Sequence, residues 1–89
     1  MSVPRIFSIE LAPSVSRALK KLDPQVQKRI GKAIDALRAN PLPAGVKKLN
    51  DPVELWRIRV GDYRVIYKME EHKLVIVVVK VAHRREVYR

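Results

Sequence analysis

Guanidinium groups dominate the residues able to do chemistry here. Arg57 and Arg59 stand just before a Gly61-Asp62 pair, and Arg64 follows just after it. The sequence closes with His83-Arg84-Arg85-Glu86-Val87-Tyr88-Arg89, which adds an imidazole, further guanidiniums and a phenol. The planar fork of arginine bonds a phosphate bidentately and keeps its charge near neutral pH, so such a cluster suits a phosphate-bearing ligand. An imidazole ordinarily titrates near neutrality, which makes His83 a candidate acid or base within that cluster. Tyr88 is a candidate stacking platform for an unpaired base and, equally, a packing anchor. Carboxylates are scattered rather than grouped, so nothing points to magnesium, and the absence of cysteine excludes a thiolate zinc site. Neither metal nor other cofactor is expected.

The elements that position these groups can be read from the same residues. Gly61-Asp62 is a two-residue hairpin signal of type I′ or II′, and a loop of that length fixes the register. Trp56 then faces Tyr67, Arg57 faces Ile66, Ile58 faces Val65, Arg59 faces Arg64 and Val60 faces Tyr63. Alternation puts Trp56, Ile58, Val60, Tyr63, Val65 and Tyr67 on one face and Arg57, Arg59 and Arg64 on the other. Trp56 is thereby read as core. Like charges opposite one another destabilise a sheet. At about 4 Å and an effective dielectric near 20, two unit charges repel by roughly 4 kcal/mol. Glu54 points the other way by parity, so the cationic face makes sense if an anion sits on it. A turn around Glu71-His72 sets Arg64 opposite Val79, which puts Val79, Val81 and His83 on the arginine face. No role is assigned to His72.

Upstream, Arg5 to Ile9 alternates weakly and reads as a first strand. Pro13 suits the first position of a helix whose stripe is Val15, Ala18, Leu19 and Leu22. Asp23-Pro24 ends it and starts a second helix, Asp23 as N-cap, with Val26, Ile30, Ala33, Ile34 and Leu37 buried. Pro41 to Pro52 reads as a loop carrying Lys47 and Lys48. Three strands follow, over Val53–Val60, Tyr63–Met69 and Leu74–Val81. The expected fold is therefore α+β, in the order β-α-α-β-β-β. Its helical hairpin packs on one face of a small antiparallel sheet, and residues 1–89 form a single domain.

The chain carries 19 Lys and Arg against 9 Asp and Glu, a net charge of +10 that favours a polyanionic partner. Nothing after Met1 resembles a signal peptide, and the apolar run Leu74–Val79 is too short to cross a bilayer. A soluble, cytoplasmic protein with no membrane partner is expected.

Lys47-Lys48-Leu49, the stretch from Leu55 to Tyr67 and the His83–Arg89 tail together resemble the RelE branch of the RelE/ParE toxin superfamily, over nearly the whole chain. The RelE-like microbial RNase fold has this order of elements. The resemblance implies the toxin of a type II toxin–antitoxin system. Such a toxin is a ribosome-dependent, metal-independent endoribonuclease that cuts mRNA in the A site by 2′-hydroxyl attack, leaving a 2′,3′-cyclic phosphate and a 5′-hydroxyl. Implied roles are phosphate grip for Arg57 and Arg59, charge stabilisation for Arg64 and Arg84, and stacking or proton transfer for Tyr88. Lys47, Lys48 and Arg85 are the expected RNA-binding residues. Arg57 and Arg59 fall where some members carry lysines, one proposed as general base. Arginine cannot usefully release a proton near pH 7, so His83 is the expected substitute. The implied partners are the ribosome with its mRNA and a RelB-like antitoxin, with operator DNA reached only through the toxin–antitoxin complex. Two other readings compete: a ParE-like toxin that inhibits DNA gyrase by protein contact, and a non-catalytic basic nucleic-acid-binding module.

Overall fold

Two helices form where the sequence sets its start and stop signals. In the computed structural model, which describes residues 6–49 and 54–87, β1 (Ser8–Leu11) runs into α1 (Pro13–Lys20) with Pro13 in the first turn. The second helix, α2 (Pro24–Ala36), also opens on proline, and its Asp23 N-cap accepts a hydrogen bond from the Gln25 N–H at 3.2 Å. Val15 of α1 and Ile30 and Ile34 of α2, with Leu37 just beyond, are buried as the helical spacing requires. The expected helical hairpin is present.

After α2 come β2 (Lys47–Leu49), β3 (Leu55–Val60), β4 (Tyr63–Glu70), β5 (Val75–His83) and a final turn of helix, α3 (Arg84–Val87). The sheet is mixed and five-stranded, ordered β1-β5-β4-β3-β2. Two features go beyond the expected antiparallel sheet. The first strand joins the far edge and runs parallel to β5, with Ser8 against Val75 and Leu11 against Val78. Strand alternation carries no record of which edge a distant segment will join. The region expected as loop also holds β2, antiparallel to β3 with Lys47 opposite Arg57 and Lys48 opposite Trp56. Three residues are too few to show a period.

The β3–β4 hairpin has the expected register, residue for residue from Trp56 against Tyr67 to Val60 against Tyr63. Gly61 sits at φ 59, the left-handed conformation that both candidate turns need at that place. Ile58, Val60, Val65 and Tyr67 are buried under the helices, while Trp56 and Tyr63 pack at the margin of that core. Tyr67 is fully enclosed; its hydroxyl donates to the Pro41 carbonyl at 2.5 Å, and burial pushes its pKa from 10.0 up to about 12. This bond pins the loop after α2 to the middle of the sheet.

The β4–β5 register departs from expectation and moves a functional residue. The turn covers Glu71 to Leu74, so Glu70 pairs with Val75 and Tyr67 with Val78. That displacement is an even number of residues and leaves the faces unchanged. A bulge between Ile66 and Tyr67 then adds one residue to β5 around Val79, and beyond it Arg64 pairs with Ala82, not Val79. One extra residue exchanges the faces of everything that follows. Lys80 and Ala82 therefore share the arginine side, while Val81 and His83 turn toward the helices.

Candidate active site

The site lies at the hairpin end of the sheet, and its geometry follows from two attachments. The Gly61-Asp62 turn sets Arg59 directly across from Arg64. At the end of β5 the Arg84 N–H donates to the Asp62 carbonyl at 2.7 Å, which ties the start of α3 to that turn. Between them is a cleft of about 320 Å³, lined by Arg59, Gly61, Asp62, Tyr63, Arg64, Arg84 and Arg85.

Four arginines thus line one space, and one is deeply set: Arg64 is only 3% exposed. A side chain kept for solubility would leave its charge in water, because removing a cation from solvent is costly. Arg64 is instead set into the wall of the cleft, almost wholly out of water. Arg84 lies 3.8 Å from the Asp62 carboxylate, but both are more than half exposed, so the pair is screened and weak. Asp62 is the residue that sequence parity missed. A turn residue belongs to neither face, and only the attachment of Arg84 shows that its carboxylate borders the cleft.

The other expected residues divide. Arg57 is half-buried on the same face, one pair farther from the turn, opposite Ile66 on one side and Lys47 on the other, and it does not line the cleft. Lys47 extends the cationic face along β2. Lys48 does not, since it shares a face with Trp56: its ammonium sits 5.8 Å from the centre of the Trp56 ring and 2.9 Å from the Glu54 carboxylate. His83 is the clearest correction. The bulge turns it away from the arginines to meet the Tyr63 ring edge-on at 5.2 Å, and its Nδ1 accepts the Arg85 N–H at 3.3 Å. Tyr88 lies outside the described residues. Among the described residues no three of His, Cys, Asp and Glu group as metal ligands would, and no helix is long and apolar enough to cross a membrane.

Residues 9–88 match the family model described as the ParE toxin of type II toxin–antitoxin system, parDE. A Methanocaldococcus jannaschii protein that carries the name RelE1 is 30% identical over 86 residues, covering 93% of this chain and 96% of that protein. The crystal structure of the archaeal RelE–RelB complex from Pyrococcus horikoshii is similar at a TM-score of 0.79 and 31% identity, over 89% of this chain and 96% of that one. The RelB–RelE antitoxin–toxin complex from Methanococcus jannaschii gives a TM-score of 0.71 at 26% identity, over 89% and 94% of the two chains.

Proposed function

We infer that this chain, which belongs to the ParE toxin family of type II toxin–antitoxin systems and is a toxin of RelE type, acts as a ribosome-dependent endoribonuclease on mRNA in the A site. The observation that carries the reading is the single cleft bordered by Arg59, Arg64, Arg84 and Arg85.

The reaction needs no external nucleophile. The RNA 2′-hydroxyl attacks the adjacent phosphorus, the bond from phosphorus to the 5′-oxygen breaks, and a 2′,3′-cyclic phosphate and a 5′-hydroxyl result. Negative charge grows on the phosphoryl oxygens as the new bond forms, and donors fixed beforehand around them lower the barrier. Arg59, Arg64 and Arg84 are suited to this, with Arg57, Lys47 and Arg85 gripping the flanking backbone. A proton must leave the 2′-oxygen. With His83 turned to the other face, Asp62 is the cleft residue with a carboxylate, a group that can accept that proton. The departing 5′-oxygen takes its proton from water. So sparse a site depends on a substrate already held in line for attack, which the decoding site of a ribosome can supply.

A RelB-like antitoxin is the proposed partner, by analogy with the RelE–RelB complexes that this fold resembles. An acidic segment would complement a charge of +10. Operator DNA would be reached only through that complex, and action on translating ribosomes implies a cytoplasmic site. The matching family model is named for ParE, which favours a second reading, inhibition of DNA gyrase through protein contact. A gyrase-binding surface has no need of the arginine cleft. Primer extension on a translated mRNA separates the two. Wild type should give breaks at defined positions, and Arg64→Ala and Arg84→Ala should abolish them. Growth arrest with no breaks, together with loss of supercoiling activity, would replace the nuclease reading with the gyrase one.

A further inference from the structure

Behind the arginine cleft, on the helix-covered side of the same sheet end, lies a second groove of about 470 Å³. Arg17 and Lys21 border it from α1 and its C-cap, and Tyr63, Val81 and His83 border it from the sheet. Three features make it a built site.

Arg17 and Lys21 stand four residues apart, a spacing at which like charges oppose each other on a helix. Among the described residues neither has a carboxylate within ion-pair distance. Tyr63 and His83 hold each other edge-on, with ring planes at 88°, which sets two aromatic rings in the groove wall. The Nδ1 of His83 is occupied by the Arg85 N–H, so a neutral imidazole carries its proton on Nε2 and has a donor left for a ligand. Finally, Tyr63 also lines the arginine cleft, so the two cavities lie on either side of one side chain at the end of the sheet.

We infer that this groove is a second RNA subsite, which grips the backbone and stacks a base of a nucleotide adjoining the one held in the arginine cleft. The inference rests on the nuclease reading and extends it: the strand would wrap the end of the sheet. Unpaired bases stack on rings while cations track the phosphates. An acidic peptide would satisfy the charges but make no use of the ring pair.

Fluorescence anisotropy with labelled single-stranded RNA tests this, using a dinucleotide and a longer oligonucleotide. The double variant Arg17→Ala/Lys21→Ala should bind the longer RNA about tenfold more weakly. Its log–log salt slope should be shallower by about 1.4, at roughly 0.7 for each phosphate no longer neutralised. Dinucleotide affinity should be unchanged, and His83 ring resonances in the wild type should shift only with the longer RNA. Lys32→Ala/Lys73→Ala removes two exposed charges elsewhere and should alter binding less than about twofold, as dispersed charge does at moderate salt. Equal losses in both double variants, no loss in the first, or a loss seen only toward an acidic antitoxin peptide would overturn the subsite. A wild type that binds neither RNA would likewise overturn the subsite, whereas the nuclease reading on which it rests fails separately, if primer extension on translated mRNA shows no breaks.

Discussion

At the scale of single residues, the cleft combines groups that attract a phosphate with one that repels it. Asp62 is the acid among four arginines, so replacing it separates affinity from chemistry. Asp62→Asn should bind RNA at least as tightly as wild type, because a negative charge is gone. It should cleave roughly a hundredfold more slowly if the carboxylate takes the 2′-hydroxyl proton. Single-turnover cleavage beside equilibrium binding checks this, and a fall in affinity parallel to the rate would assign Asp62 to holding Arg84. Tyr67 offers a test of burial. Its phenol ionises near 10.0 in water and near 12 in the fold, so both states are protonated below pH 10 and the full stability is present there. Between pH 10 and 12 the unfolded chain loses the proton first, and stability should fall by about 1.4 kcal/mol per pH unit from this group. Lysines titrate in the same range, so the measurement is the difference between wild type and Tyr67→Phe in denaturant melts. Tyr67→Phe should lack that component, and below pH 10 it should be less stable by about 1 kcal/mol for the missing hydrogen bond to Pro41.

At the scale of elements, the tight turn between β3 and β4 decides which guanidiniums meet. Gly61 holds φ 59, and a Cβ built there would lie 3.5 Å from the Arg29 side chain, an ordinary van der Waals distance. The cost of Gly61→Ala is therefore conformational, about 1 kcal/mol. Gly61→Asn should recover much of it, because asparagine tolerates the left-handed region. A urea midpoint lowered by alanine and restored by asparagine, at constant m-value, is the expected result. If both variants fell equally, crowding against Arg29 would be the cause. The β5 bulge acts with equal force in the opposite sense. One residue near Val79 turns His83 from the arginine face to the groove beside α1. No turn rule reaches that far along a strand.

At the scale of the molecule, the net charge is +10, and among the described residues cations line cavities on both sides of the sheet. The intramolecular ion pairs among the described residues are all partly or largely exposed, so each contributes little. Net repulsion should dominate, and salt should stabilise the fold. Raising sodium chloride from low to physiological strength should increase Tm by roughly 4–8 °C, equivalent to about 1 kcal/mol in a domain of this size. A falling Tm would mean that attractive pairs outweigh the repulsion. On the proposed function, RNA present at a hundred times its dissociation constant should add about 2.7 kcal/mol more, as a ligand that binds only the folded chain does.

Local chemistry by itself determined much of this protein. Helix stripes, proline at two helix starts and a two-residue turn fix both helices and the β3–β4 register, hence the Arg59–Arg64 pair. Each of these depends on neighbours a few positions away, which is the range over which sequence spacing carries geometry. Only the tertiary structure decided that β1 lies parallel to β5, that Lys48 rests on Trp56, that Asp62 borders the cleft and that His83 leaves it. Those outcomes depend on which distant strands join and on one unpaired residue in a ladder, and backbone hydrogen bonding selects them with little regard to side-chain type.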